Sequence, residues 1–340
     1  MKKLGLIDKI IFIFNSLLGT ALLLSYLLAF IPPKSFPLLS VLSLGVPVLI
    51  LVNLGFMVYW IIRLKRQFLL SFIVLLIGYN YVSSLYQFSS NTQTSEEEVS
   101  IMSYNVRMFN TYDWTDEENI PERITDFIKE KDPDILLTQE HTVDETNLKE
   151  IYPYHFVHRK GRNSEFGSAI FSKFPVVEQY SVDFPHDGNN NAIYADIVVQ
   201  TDTLRIYNVH FQSLNVKPEI DNLRKEDSKK LLGRIGQGFG MQQEQAEMMM
   251  KKVRESSRKT IIAGDFNNTA FSYIYEFIND ERFKDAFLES GEGFGQTFKL
   301  NYFPLRIDFM LFDAEIQINS FERFKNEYSD HYPVMTRFKI

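Results

Sequence analysis

The stretch Ser103–Asn110, SYNVRMFN, decides how this chain is read. An apolar lead-in, VSIM at 99–102, runs into Asn105 and Arg107. Residues two apart on an extended chain point to one face, so an amide and a guanidinium leave a buried strand on the same side. A dry core accommodates neither, because burying an unpaired polar group costs about 2–7 kcal/mol. The strand is therefore expected to end on the floor of a polar cleft.

Other apolar runs end the same way. DILLTQE closes on Glu140, LRIYNVHF carries Asn208 and His210, and KTIIAGDFN closes on Asp265 and Asn267. Near the C-terminus come RIDF, with Asp308, and SDHYPV, with Asp330 and His331. Several carboxylates near one another are tolerable only with a cation or tight pairing. Glu140 and Asp330 are hard oxygen donors, suited to Mg²⁺ or Mn²⁺. With no cysteine and only six histidines, a zinc site is not expected. A divalent ion held by a few protein oxygens keeps open positions for a phosphate and a water. His210, His331 and Arg107 can neutralise phosphate charge. Asp265 can orient and deprotonate a water, held by the Asn267 amide, and Asp308 can fix the His331 tautomer.

The ordered set SYNVR, LLTQE, NVHF, GDFN, RIDF and SDHYPV resembles the endonuclease/exonuclease/phosphatase superfamily. That superfamily includes pancreatic-type DNases, apurinic endonucleases, inositol polyphosphate 5-phosphatases and neutral sphingomyelinases. GDFN alone is only four residues; six motifs in the family's order carry the resemblance, over roughly residues 100–340. It implies a four-layered α/β sandwich, two mixed sheets flanked by helices, and Mg²⁺-dependent hydrolysis of a phosphate ester. It implies that Asn105 and Glu140 sit by the metal with Asp330 close to it. By the same resemblance His210 contacts or protonates the scissile phosphate, Arg107 and Asn267 meet the phosphate, Asp265 and Asn267 handle the water, and Asp308 orients His331. Thr297 and Arg306, in GQTFKLNYFPLRIDF, are expected to line the cleft.

Read without the resemblance, residues 100–340 already predict a layered α/β domain with strands of mixed direction. Helical spacing appears over 118–131, through Ile120, Ile124, Phe127 and Ile128, and over 242–256, through Ala246, Met249, Met250 and Val253. GSAIFSKFPV at 167–176 reads as one strand. The polar segment 214–240, with its GQGFGM glycines, reads as a helix plus a mobile loop and is a candidate for substrate choice. His141, His155, His158 and His186 are expected in loops or on the surface, without a role. Met248–Met250 is expected to be helix packing.

The first ninety residues are a different material. Apolar runs cover about 10–31, 39–62 and 68–88, each near the roughly 20 residues that a helix needs to cross a bilayer. A signal peptide does not explain three runs in succession. Lys2, Lys3 and Lys9 precede the first run, Arg63, Lys65 and Arg66 follow the second, and Lys34 alone lies between. The excess of Lys and Arg marks the cytoplasmic side. Three spans then predict a multi-pass anchor in the cell (inner) membrane, an N-terminus inside, a linker at 91–99, and a domain at 100–340 outside the cytoplasm. Residues 1–90 carry a net charge of +6, so with −7 for the whole chain residues 91–340 carry −13. A nucleic-acid binder normally shows a basic face, so this acidity weighs against one without excluding it, because a local basic pocket can hide inside a negative total.

The motifs specify a reaction and not a leaving group. The anchor and the acidic charge favour a phosphodiester in a lipid head group. A nuclease or a phosphomonoesterase that scavenges phosphate outside the cytoplasm is the alternative. A non-catalytic binder is disfavoured by the intact set of polar residues, and no protein partner is expected.

Overall fold

The structure, a computed structural model, describes residues 4–88, 97–142, 147–159, 166–185, 190–214, 227–300 and 303–340. Residues 91–96 of the expected linker, His186 and residues 215–226 of the polar segment lie outside the described residues.

The N-terminal part is a bundle of α1 (Leu6–Ser25), α2 (Pro37–Val41), α3 (Val46–Ile62), α4 (Phe68–Ile77) and α5 (Tyr79–Leu85). Its polarity is inverted relative to a soluble protein. Leu17, Leu24, Phe72 and Leu76 face outward, while Asn15, Asn53 and Ser71 are fully buried. The Asn15 amide donates to Ser71 Oγ at 2.7 Å, Ser71 Oγ donates to Asn53 Oδ1 at 3.3 Å, and the Trp60 indole donates to Asn15 Oδ1 at 2.9 Å. Polar side chains bonded across helices are the usual glue where the surroundings are apolar.

Two segments, Leu6–Phe30 and Pro37–Ile62, are long and apolar enough to cross a membrane. The third run is not the single helix expected over about 68–88: α4 and α5 are bent by 83°. The break falls at Gly78, where a Cβ would lie 2.1 Å from the Tyr26 ring. Beyond it the sequence turns polar, YNYVSS, and Tyr81 stacks on Tyr26 with ring centroids 5.0 Å apart. One end of the bundle gathers Asp8, Tyr59 and Arg63 through hydrogen bonds of 3.1–3.2 Å. The other end, with Tyr26 and Tyr81, packs on Phe271 of the C-terminal part.

The C-terminal part holds two six-stranded sheets. At the centre of the first, β2 (Val99–Asn105) and β3 (Ile135–His141) run parallel. β4 (Tyr154–His158) and β5 (Gly167–Ser172) continue it on the β3 side, and β15 (Gln317–Arg323) and β16 (Val334–Lys339) on the β2 side. At the centre of the second, β8 (Asp202–His210) and β9 (Thr260–Asp265) run parallel. They are flanked by β6 (Val176–Asp183) and β7 (Asn191–Val199), and by β14 (Asp308–Asp313) and β10 (Phe283–Asp285). Two small ribbons pair β1 (Tyr86–Gln87) with β11 (Gly293–Phe294) and β12 (Phe298–Leu300) with β13 (Phe303–Leu305).

Ile101, Ile135 and Leu137 of the first sheet meet Ile193, Ile206, Ile261 and Met310 of the second in a fully buried core. Side chains of this size each stabilise the fold by about 1.5–3 kcal/mol when buried. Outside the first sheet lies α6 (Ile120–Lys131), with Ile120, Ile124 and Ile128 turned inward. α7 (Leu148–Ile151) is a single turn on that side. Outside the second lie α8 (Ser228–Arg254) and α9 (Tyr273–Ile278), which bury Ala246, Met249, Met250 and Ile274. α10 (Ala286–Ser290) closes the edge beside β10. The expected four-layered sandwich is the architecture, with the Met run as packing.

Three expectations change. The run 167–176 is two strands in different sheets, because the chain crosses over at Pro175, which cannot donate to a ladder. α8 starts at Ser228, not near Gln242, so the glycine-bearing stretch is helix. Glycine disfavours helix by about 1 kcal/mol each, but here packing prevails: Asp227 caps the end by accepting from Lys229 N at 2.8 Å, and Gly236 lies close to Pro37. His141 is a buried β3 residue hydrogen-bonded to Thr138 Oγ1 at 3.0 Å, not a surface one. His155 and His158 sit on the edge strand β4, as surface residues do.

Gly264 has φ +138°, and a Cβ there would lie 2.1 Å from the Val209 carbonyl of the neighbouring strand. Only glycine lets β9 approach β8 this closely. We therefore expect Gly264→Ala to destabilise the domain by at least about 1–3 kcal/mol, read as a lower denaturant midpoint, with loss of any activity that depends on Asp265.

Candidate active site

Strand register builds the site. Parallel pairing sets His210 beside Asp265, and antiparallel pairing sets Asp308 on the other side of Asp265. Three functional residues thus stand in one row at one end of the second sheet. Asn105 and Glu140 come from the matching ends of β2 and β3 in the first sheet. The sheets meet here: the Asn105 amide donates to Asp265 Oδ2 at 3.1 Å and to Glu140 Oε1 at 3.4 Å. His210 Nε2 lies 3.8 Å from both of those carboxylates.

His331 Nδ1 meets the Asp308 carboxylate at 2.9 and 3.1 Å, and its Nε2 faces Asp265 Oδ2 at 3.7 Å. Asn267 donates its backbone N–H to Asp265 Oδ1 at 2.8 Å, and its amide to Asp265 Oδ2 at 3.2 Å and to the Phe211 carbonyl at 3.0 Å. Arg107 Nη1 pairs with Asp330 Oδ2 at 3.3 Å. Thr297 and Arg306 do not join the cluster, while the nine residues expected at the metal, the phosphate and the water converge. Arg107 does so by another route than an extended strand: β2 stops at Asn105, and residues 107–110 turn left-handed with φ between 43° and 65°. Glu140 and Asn267 share that region, at φ 52° and 50°. Such strained backbone gathers at sites that the surrounding packing over-determines.

Burial pushes the Asp265 carboxyl up, against the pull of His331 and the Asn267 N–H. Burial raises Glu140 as well, and the nearby Asp330 adds to it. For His331 burial works downward, but Asp308 and Asp265 outweigh it and hold the imidazole up to about 10. It is therefore a cation at neutral pH. Burial, aided by the charge of Lys149, takes His141 down to about 3, so it stays neutral.

Four carboxylates, of Glu140, Asp265, Asp308 and Asp330, face the cations of Arg107 and His331. Asp265, Asp308 and His331 have ligand atoms within 4.8 Å of one another, yet Asp308 already spends both oxygens on His331. The Glu140, Asp330 and Asn105 side has the hard oxygen atoms and the surplus negative charge that suit a divalent cation.

Several partners escaped the sequence. Ser329 Oγ donates to the Asn105 carbonyl at 2.8 Å and accepts from His331 N at 3.2 Å. Trp114 lies under Arg107, 4.4 Å from ring centroid to guanidinium. Lys299 is half-buried on β12, its backbone N–H donating to the Asp330 carbonyl at 2.8 Å. Ser329 and Lys299 stand within SDHYPV and GQTFKLNYFPLRIDF, but only packing reveals their contacts, and nothing local marks Trp114. Thr297 does not line the cleft: its Oγ accepts the Ile307 and Asp308 N–H groups at 3.0 Å each, beneath the floor. Arg306 is buried elsewhere, paired with Asp285 at 2.6 Å and stacked on Phe287 and Phe309.

Residues 102–331 match the model of the Endonuclease/Exonuclease/phosphatase family. The chain belongs to this family. Residues 8–85 match a second model, described as a domain of unknown function (DUF8431). The chain is similar to the endonuclease/exonuclease/phosphatase from Bacteroides vulgatus (20% identity, TM-score 0.57, 72% of this chain and 99% of that one). It is also similar to the mannosyl-6-phosphatase Bt3783 of Bacteroides thetaiotaomicron (18%, 0.53, 71% and 100%) and to the human Nocturnin catalytic domain (14%, 0.54, 75% and 96%). Comparison with curated proteins found no match. Members of the endonuclease/exonuclease/phosphatase family are phosphoester hydrolases, typically dependent on a divalent metal.

The His331 pKa is raised from an unfolded value of 6.5 to about 10. Its pairing therefore stabilises the fold fully below pH 6.5 and is lost as pH rises through about 10. In chelator, the melting temperature of the wild type should fall across that window. Asp308→Asn should remove most of the slope and lower stability at neutral pH by about 3–5 kcal/mol, as loss of one member of a buried pair does.

Proposed function

We propose that the protein is a membrane-anchored, divalent-cation-dependent phosphoesterase, and that its substrate is a phosphodiester in a lipid head group. The carrying observation is the row His210–Asp265–Asp308 joined to Asn105 and Glu140 across the two sheets. Asn105, Glu140 and Asp330 would hold Mg²⁺ or Mn²⁺. Bound there, the cation would supply charge neutralisation for the phosphate oxygens. Arg107 and His210 receive the phosphate. Asp265 accepts a proton from the attacking water, which the Asn267 amide orients for in-line displacement. His331, held as a cation by Asp308, faces Asp265 and offsets the negative charge that gathers there.

The helical bundle supports the anchored reading, with residues 1–90 as anchor and 100–340 as catalytic domain. Arg63, at the Asp8 end, is followed by Lys65 and Arg66, and the catalytic domain packs on the opposite end. α4 returns from the Arg63 end to the Tyr26 end, with Ser71 bonded to Asn15 and the Val74 carbonyl to the Tyr26 hydroxyl. That path makes a third crossing, closed by the bend at Gly78. It favours a cytoplasmic N-terminus and an extracytoplasmic catalytic domain.

The lipid reading rests on where the cleft faces. Only six residues separate Asp265 from Phe271, whose ring centroid lies 6.1 Å from that of Tyr81. Six residues reach at most about 22 Å, which favours a cleft that opens at the end of the sandwich nearest the bundle. The alternative, a phosphomonoesterase or nuclease outside the cytoplasm, draws support from Lys299 and Arg107. Arg107 pairs with the Asp330 carboxylate and the Lys299 ammonium feels the same charge, two cations suited to a phosphate dianion.

Purified protein should release head groups from mixed phospholipid and sphingolipid bilayers in Mg²⁺ and not in EDTA. Asp265→Asn should lower kcat by about 10²–10⁴-fold, the range of a lost general base. Turnover of p-nitrophenyl phosphate or plasmid DNA with bilayers untouched would transfer the assignment to the alternative. Because the chain lacks cysteine, topology can be read with single introduced thiols. A thiol at Phe294 should label from outside intact cells, and one at Leu64 only after permeabilisation.

A further inference from the structure

One helix, α8, touches both the loops of the site and the membrane bundle. Gln242, on α8, is fully buried, and its carboxamide makes three hydrogen bonds. Nε2 donates to the Gln212 carbonyl at 2.7 Å and to the Asn267 carbonyl at 3.0 Å, and Oε1 accepts from Asn268 Nδ2 at 2.6 Å. Gln212 lies two residues beyond His210, and Asn267 two beyond Asp265. The amide thus clamps together the loops that leave β8 and β9, the two strands whose ends supply His210 and Asp265. Its bond to the Asn267 carbonyl fixes a peptide held at φ 50°, and so the direction of the Asn267 N–H and amide toward Asp265.

The neighbouring residues of α8 face the other way. Gln243 Oε1 accepts from Lys34 N at 2.8 Å, and Glu247 pairs with Lys34 Nζ at 2.5 Å. One and a half turns earlier, Gly236 fits against Pro37, where a Cβ would come within 3.1 Å of the proline side chain and 3.2 Å of its carbonyl. α8 is one continuous helix of 27 residues, so a single element carries both the Gly236 contact with the bundle and Gln242.

We propose that Gln242 is a positioning residue for the Asp265–Asn267 loop and that the membrane bundle, through α8, sets its position. The inference rests on the catalytic reading of Asp265 given above. No contact of Gln242 with substrate is needed: both its N–H groups and its oxygen are occupied by the two loops.

The test uses the full chain in detergent, with bis(p-nitrophenyl) phosphate and p-nitrophenyl phosphate as probes in Mg²⁺. Gln242→Met keeps the volume and removes the donors. It should lower kcat by about 100-fold, the effect of a misplacement of about 1 Å in the catalytic geometry, while KM stays within about twofold. Amide hydrogen exchange should quicken in peptides covering 206–214 and 262–272 and stay unchanged over β3, a localised effect that general loosening of the fold does not produce. Gly236→Val should lower kcat in the wild type and add nothing in the Gln242→Met background, as expected of two changes acting through one element. Unchanged kcat and exchange in Gln242→Met would overturn the positioning role, and additive effects with Gly236→Val would overturn the route from the bundle. Asp265→Asn separates the two levels. If it stays active, the catalytic reading fails and the exchange data alone judge the clamp; if it is dead while Gln242→Met is normal, only the present inference fails.

Discussion

The sandwich depends on a polar seam buried where its two sheets meet. Asn208, wholly buried on β8, accepts from the Gln139 amide at 2.7 Å and donates to the carbonyls of Thr138 and Ala169 at 2.9 and 2.8 Å. All three partners belong to the opposite sheet. Two sheets packed through aliphatic side chains could slide by a residue with little loss, since burial energy has no direction. Three directional bonds from one buried amide forbid that, because leaving any of these groups unpaired would incur its full desolvation penalty. The seam fixes Asn105 and Glu140 against His210 and Asp265. A site shared between two sheets has its geometry set by the sheet-to-sheet register, and Asn208 with Gln139 sets that register.

The same seam explains why so much of the site was legible. A strand that ends in Asn, Glu, Asp or His breaks the apolar pattern of the core, and such breaks are visible one residue at a time. Asn105, Glu140, His210, Asp265 and Asp308 all show themselves in this way. The four layers follow once those strand ends must converge. What stayed hidden depends on tertiary packing. The first half of α8 carries glycines that argue against a helix, and only its seat against Pro37 makes it one. The bend at Gly78 follows from the Tyr26 ring, a contact with a residue 52 positions earlier. His141 looks like a surface residue because burial of a neutral imidazole leaves no trace in the local sequence.

Thr297 and Arg306 make the complementary point. Both stand in the segment leading into Asp308, and position alone suggested the cleft wall. Thr297 instead supports the floor from below through the Asp308 N–H. Arg306 turns away to Asp285 and a cage of phenylalanine rings. Arg306 lies in the irregular link between β13 and β14, where strand alternation does not set a side chain's direction, so closeness in sequence to Asp308 says little about sharing its cleft. Lys299, two residues beyond Thr297, and Trp114, with no motif around it, come closer to the chemistry than either.

The buried Asn15–Ser71–Asn53 chain in the helical bundle has a kinetic consequence. It locks three helices in one rotation, so the bundle behaves as a pedestal and not as a flexible tether. For a bundle seated in a bilayer, the catalytic domain then has a fixed height and heading above the surface. An enzyme held so explores its surroundings in two dimensions. Its rate on a lipid would follow the mole fraction of that lipid in the plane and the speed of lateral diffusion, not the bulk concentration. Substrates at another depth would be passed over however well their phosphates fit the cleft.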